Sequence, residues 1–421
     1  MDILPVVVGI VVIVLGILVS IALHEVGHMV PAKRFGVRVS EYMVGFGPTL
    51  WSRRKGETEY GIKAIPLGGY VRLVGMMPPA RPGVRGGGGF FGRVIADARD
   101  ASVSEIRPGE EHRAFYRLST PKKLVVMLGG PVMNLVIAVV LLAVVFLGIG
   151  MPTATTTVAD VGEDSAAAAA GVEPGDEVVA FDGAPVEEWS QLVGLINDSA
   201  GQEVPLTVLR DGEEVTLAVT PTPAERPLTD DDGYPVTDDD GEPVMVDGAL
   251  LGVSSSVERQ ALPVSSVPEA VWLQVSGTAD AIVTLPVRVY DAAYQAFTDE
   301  PRSQDSVMSV VGVGRAAVDT AGAEDYSVLA RVQLMLMLLA SLNIALFMFN
   351  LIPLLPLDGG HVANALYEGA RRSAARVRGH ALPGPADVAR MMPVAYVVFV
   401  VLIGVGAVLM VADLVDPVRL F

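Results

Sequence analysis

Residues 5–23 carry no charge and almost no polarity. A run of that length can cross a hydrocarbon core, which needs about 20 apolar residues. Three more apolar runs follow, at 124–150, 328–351 and 393–412. The pattern predicts a polytopic α-helical membrane protein with four transmembrane helices. It divides the chain into a first helix (1–35), a polar stretch (36–123) and a second helix (124–150). A larger polar segment comes next, read as a small domain (151–225) and an acidic linker with surface helices (226–327). A third helix (328–358), a polar loop (359–392) and a fourth helix with the C-terminus (393–421) complete it. The first run has no basic start and no small-residue cleavage site, so it reads as a retained span and not as a signal peptide.

The polar stretches differ in sign. Residues 31–123 hold 17 Lys/Arg against 8 Asp/Glu, and residues 359–392 hold 5 Arg against 2 acids. Residues 151–329 hold 6 Arg against 33 acids, with no Lys. The positive-inside rule places the two basic stretches in the cytoplasm and the acidic one outside, with both termini extracytoplasmic. Val37–Val74 reads as strands around a Lys55-Gly56-Glu57 turn, a β ribbon whose edge could pair with an extended segment. An ordinary packed hairpin fits the same pattern. Residues 78–114, which include Gly86–Gly89 and mixed charge, read as one mobile loop. In the acidic segment, Asp164-Ser165 can cap an alanine helix ending at Gly171, and Glu187–Ser199 reads as a helix. Leu206–Arg210, Asp211-Gly212 and Val215–Val219 form a hairpin. Asp230 and Asp238 open an eight-residue acidic repeat without EF-hand spacing, read as a solvated loop. Residues 268–298 and 306–321 look like amphipathic helices at the membrane surface.

Composition narrows the chemistry. Hydrophobic residues make up 51% of the 421-residue chain and the mean hydropathy is +0.48. The net charge of −18 gives no reason to expect a nucleic-acid partner. There is no cysteine and there are five histidines, so a zinc site here must use His with carboxylate.

The first apolar run ends in His24-Glu25-Val26-Gly27-His28. Ionisable groups at membrane depth are costly, so their default reading is functional. On a helix, His24 and His28 share a face and can bind one metal, and Glu25 can activate a metal-bound water. The third run ends in Asp358. The alternating topology brings the ends of the first and third spans to the same side. His24, His28 and Asp358 then supply the three ligands of an open zinc site. Asp358 can also be read as a turn residue ahead of Gly359-Gly360, and His361 as a ligand in its place. Asn350 lies at the depth of the metal and could hold a substrate backbone or an oxyanion, as could Asn134. Either can instead hydrogen-bond between spans.

Three motifs in order carry a resemblance: His24-Glu25-x-x-His28, Gly130-Pro131-Val132-Met133-Asn134, and Asn350 through Pro353 and Pro356 to Asp358-Gly359-Gly360-His361. Together they resemble the site-2 protease family, in its bacterial regulator-of-sigma-factor branch. The resemblance implies an intramembrane zinc metalloprotease with one Zn2+ held by His24, His28 and Asp358 and with Glu25 catalytic. It implies that Tyr42–Val74 is a membrane-associated β ribbon on the cytoplasmic side and that residues 155–222 form an extracytoplasmic α+β PDZ-like domain. It implies a plasma-membrane enzyme with its active site near the cytoplasmic face. The substrate would be a single-span membrane protein already cut by an upstream site-1 protease, such as an anti-sigma factor, or a remnant signal peptide. Four features depart from the family pattern: a single PDZ-like unit, prolines at 353 and 356 that are not spaced as Pro-x-Pro, the acidic repeat, and the Gly86–Gly89 loop. Two other function classes fit parts of the chain. A membrane-anchored PDZ scaffold leaves the histidines without a role, and a zincin cutting outside the bilayer needs a third ligand beyond the membrane.

Overall fold

The computed structural model describes residues 3–80, 89–228, 244–296, 298, 306–322 and 327–415. Nearly all of the acidic repeat at 230–244 and Gly86–Gly88 of the glycine loop lie outside the described residues. The chain forms two units, Met1–Gly148 with Pro263–Phe421, and Ile149–Leu262.

The first unit opens with α1 (Ile3–Arg34), whose last turn carries Lys33 and Arg34 against the negative end of the helix dipole. The ribbon β1 (Val39–Lys55) and β2 (Thr58–Leu73) follows. It is curled: Tyr42 pairs with Val71 on one side and Tyr60 on the other. Gly69–Leu73 is therefore an edge, with β1 on one flank only among the described residues. The Tyr42 hydroxyl donates to the Ala22 carbonyl at 2.7 Å, tying the ribbon to α1. Next come α2 (Phe90–Ser104), a helix inside the stretch 78–114 expected as a mobile loop, and α3 (Thr120–Ala143). Ala32, Val37, Val39, Leu73, Phe115 and Val126 pack into one core that joins the end of α1, the foot of the ribbon and the start of α3.

The second unit runs β3 (Met151–Val161), α4 (Ala166–Ala170), β4 (Glu177–Phe181), β5 (Ala184–Pro185), α5 (Trp189–Asp198), β6 (Val204–Arg210), β7 (Glu213–Val219), β8 (Thr222–Pro227), β9 (Met245–Leu250) and β10 (Val253–Gln260). Its main sheet has the order β10-β3-β4-β6-β7, so β10 returns from beyond the acidic stretch to pair with the first strand. The Ser165 side chain caps α4, and Glu188 with Gln191 forms a capping box on α5. Phe181, Leu192, Leu206, Val158 and Val208 fill the core.

The chain then re-enters the first unit through α6 (Ser266–Gln295), α7 (Val310–Gly322), α8 (Val328–Leu351), α9 (Asp358–Val377) and α10 (Met392–Val415). The loop expected at 359–392 is thus largely helix. Five described stretches are long and apolar enough to cross a membrane: 9–34, 120–149, 266–295, 328–350 and 388–415. This suits a multi-pass membrane protein. Direction is fixed by packing. Ile13 meets Leu141 and Met335, the Asn343 amide donates to Ser20 at 3.0 Å, and His28 meets Val126. So α8 runs parallel to α1, and α3 runs antiparallel to both. Lys123 at the start of α3 donates to buried Glu368 of α9 at 2.8 Å, and the same carboxylate accepts from the Ala386 amide at 3.0 Å.

In the second unit, buried Asp176 takes both arms of Arg210, each at 2.7 Å. The Arg210 guanidinium holds this carboxyl below its ordinary value of 3.8, against the opposing effect of burial. A lowered folded-state pKa contributes stability above the unfolded value and loses it as pH falls through the folded one. Arg210→Ala is expected to cut hydrogen-exchange protection of β4 and β6 at neutral pH. After correction for intrinsic exchange, its deficit against wild type should shrink below about pH 4.

Candidate metal centre

Two helices bring the three ligands together. His24 and His28 lie one turn apart near the end of α1, and Asp358 is the first residue of α9. A carboxylate there faces the positive end of the α9 dipole. Gly359 and Gly360 let this turn press onto the backbone of Leu351–Leu355, where any Cβ would collide. The donor atoms converge: His28 Nε2 is 3.2 Å from His24 Nε2, and each nitrogen is 3.2 Å from Asp358 Oδ2. Such a triangle is one face of a tetrahedron with centre-to-corner distances of about 2.0 Å, the length of zinc bonds to nitrogen and oxygen. The donor set and its spacing fit zinc, and the fourth corner stays free for water or substrate.

The His28 ring is fixed from behind, its Nδ1 donating to the Val126 carbonyl of α3 at 2.8 Å. This leaves Nε2 as the lone-pair atom toward the metal position. Gly27 and Gly129 meet backbone to backbone, and a Cβ on Gly130 would strike the His28 ring at Nε2. Glu25 is buried beside the histidines and faces the Val71 amide of the ribbon edge. A cavity of about 320 Å³ joins these groups; His24, Glu25, His28, Asn350, Asp358 and His361 line it together with β2 residues Gly69, Tyr70, Val71 and Leu73. The Asn350 amide donates to the Leu346 carbonyl of its own helix at 3.0 Å while lining the cavity. Asn134 is buried behind the His24 ring, its amide 3.1 Å from Nδ1. His361 borders the cavity outside the three-ligand cluster, and its burial pushes the imidazole down to about 4, so it is neutral near pH 7.

The Val126 carbonyl could not be found by reading side chains, because a backbone acceptor carries no sequence signal. The role of Gly130 had a signal, a small residue in an apolar helix, but not its target. Gly130→Ala is expected to weaken zinc binding by about 10–100-fold, the usual cost of disturbing a ligand's orientation. Metal analysis after dialysis against a graded chelator series checks this, and zinc retention equal to wild type would contradict it.

The profile of peptidase family M50 matches residues 12–393. Zinc metalloprotease Rip1 of Mycobacterium tuberculosis is 34% identical over 433 aligned residues, covering 98% of each chain. The Rip1 protein of Mycolicibacterium smegmatis is 33% identical over 447 residues, covering 98% of this chain and 99% of that protein. Zinc metalloprotease RasP of Geobacillus kaustophilus is 26% identical over 248 residues, covering 47% of this chain and 59% of that protein. With the zinc-shaped donor triangle and a family match over nearly its whole length, the chain belongs to peptidase family M50, the site-2 zinc metalloproteases.

Proposed function

We propose that this protease cleaves single-span membrane proteins inside the bilayer, as the second cut of regulated intramembrane proteolysis. The substrates are anti-sigma factors already trimmed by an upstream site-1 protease, or remnant signal peptides. The observation that carries this reading is the open edge Gly69–Leu73, which borders the same cavity as the metal ligands. A helical substrate hides its carbonyls in internal hydrogen bonds and must be drawn out to be cut. An added strand on this edge holds it extended at the ligands.

Zinc bound by His24, His28 and Asp358 would supply Lewis acidity to the water and the scissile carbonyl. Glu25 takes the proton of the attacking water on its carboxylate and delivers it to the departing amide nitrogen. Its burial beside the ligands supports that role. Asn350, on the cavity wall, holds the substrate backbone. His361 lines the cavity outside the three-ligand cluster.

The membrane arrangement we propose has four spans, with both termini outside and the site near the cytoplasmic face. The direction of the helices supports it. Since α8 runs parallel to α1, the chain must leave α3 and enter α8 on one face of the bilayer, so an odd number of crossings between them is excluded. One crossing by α6 would break this rule, and α7, with 13 residues, reaches about 20 Å where about 30 Å is needed. We therefore assign α6 to the outer surface, although its length would allow a span. Phe46, Leu50, Trp51, Ile62 and Ile65 stand exposed on the ribbon and support its contact with lipid. We assign the acidic unit to the outer side as a PDZ-like domain. Thr153–Thr157 of β3 and Trp189 of α5 line a groove there that could seat a peptide.

Glu25→Gln should keep its zinc while cleavage falls below about a hundredth of wild type, since general-base work contributes 10²–10⁴-fold. Co-expression with candidate single-span anti-sigma factors, scored by immunoblot, reads the second quantity; near-normal cleavage removes Glu25 as the base. The natural absence of cysteine permits a topology test. A cysteine at Ser190 should label from outside only, and labelling confined to the cytoplasmic side sinks the four-span arrangement.

A further inference from the structure

Asn134 is 1% exposed, and its amide nitrogen sits 3.1 Å from His24 Nδ1 while its oxygen, fully buried, has no partner. The two ends of an amide are distinguished by their hydrogen bonds, not by their shape. With the nitrogen toward the ring, Nδ1 must accept, and the proton falls on Nε2, the atom in the donor triangle. A protonated Nε2 cannot bind a metal. Turning the amide over gives the oxygen the Nδ1–H and leaves Nε2 with its lone pair; the NH2 group then takes the side that has no hydrogen-bond partner among the described residues.

We infer that Asn134 is a positioning residue for zinc binding: its side-chain oxygen accepts the His24 Nδ1 proton and fixes the metal-binding tautomer. This is the counterpart of the 2.8 Å bond from His28 Nδ1 to the Val126 carbonyl. Both acceptors lie on α3, and Gly129 and Gly130 between them allow α1 to approach. One helix thus orients both histidines of its neighbour. Asn134 acts on the ligand from behind and does not touch substrate.

The test uses the full-length protein in detergent, as wild type, Asn134→Leu and Asn134→Asp. Aspartate keeps an acceptor and has no N–H to offer; leucine keeps the bulk and has neither. Zinc affinity is read by chelator competition, and the His24 tautomer by nitrogen-15 NMR of histidine-labelled, metal-free protein. Asn134→Leu should bind zinc about 10–100-fold more weakly, and Asn134→Asp should stay within about threefold of wild type. Metal-free wild type should show His24 protonated on Nδ1, and that preference should fade in Asn134→Leu. If the leucine variant does not fold, the aspartate variant decides: a tenfold or greater loss there means that the amide N–H is what matters and overturns the inference. Unchanged affinity in a folded Asn134→Leu, or His24 protonated on Nε2 in wild type, overturns it as well.

Discussion

At the crossing of α1 and α3 there are no side chains on either side: Gly27 faces Gly129 through bare backbone. Lipid tails are as apolar as leucine, so two helices in a bilayer gain little by hiding apolar surface from each other. They gain by packing closely, which small residues permit. Here that closeness has a chemical result. It brings the Val126 carbonyl within 2.8 Å of His28 and the Asn134 amide within 3.1 Å of His24. A bulkier contact would move the backbone of α3 away from both rings. The ligands from α1 therefore owe their orientation to three glycines that bind nothing.

Asp358 is held by different means. It opens α9, and α9 is anchored through Glu368 to Lys123 at the start of α3, with both partners buried. Without Lys123 the Glu368 carboxylate would keep Arg372 at 3.0 Å and the Ala386 amide, so the loss would be smaller than the roughly 3–5 kcal/mol of a buried charge left wholly unpaired. The Ala386 amide on the same carboxylate draws in the approach to α10. So α3 serves both halves of the ligand set, one by backbone contact and the other by charge.

Much of this was legible in the sequence, and the exceptions share a cause. His24, His28 and Asp358 stood out because charge in an apolar run is conspicuous, and they do converge. The hairpin at Asp211-Gly212 and the cap at Ser165 were local patterns, and the structure contains both. The return of β10 to β3 was missed because its two halves are about a hundred residues apart and an acidic stretch lies between them. The helix over Asp358–Val377 was taken for part of a polar loop because the stretch was read by its charge; the two glycines at its start serve as contact points. Asn134 was noticed for its polarity, but sequence could not tell a substrate contact from a group behind the ring.

The parallel course of α1 and α8 has a consequence for how such a chain can grow. Lengthening a surface loop costs little, since closure entropy rises only with the logarithm of length. The stretch between α3 and α8 already holds a whole folded unit, Ile149–Leu262. Further domains could be spliced in there at small cost, and a helical hairpin that dips through the bilayer and returns would be tolerated too. A single added crossing would not be. It would invert α8 and carry Asp358 to the far side from His24 and His28, dismantling the metal centre without changing one residue of it.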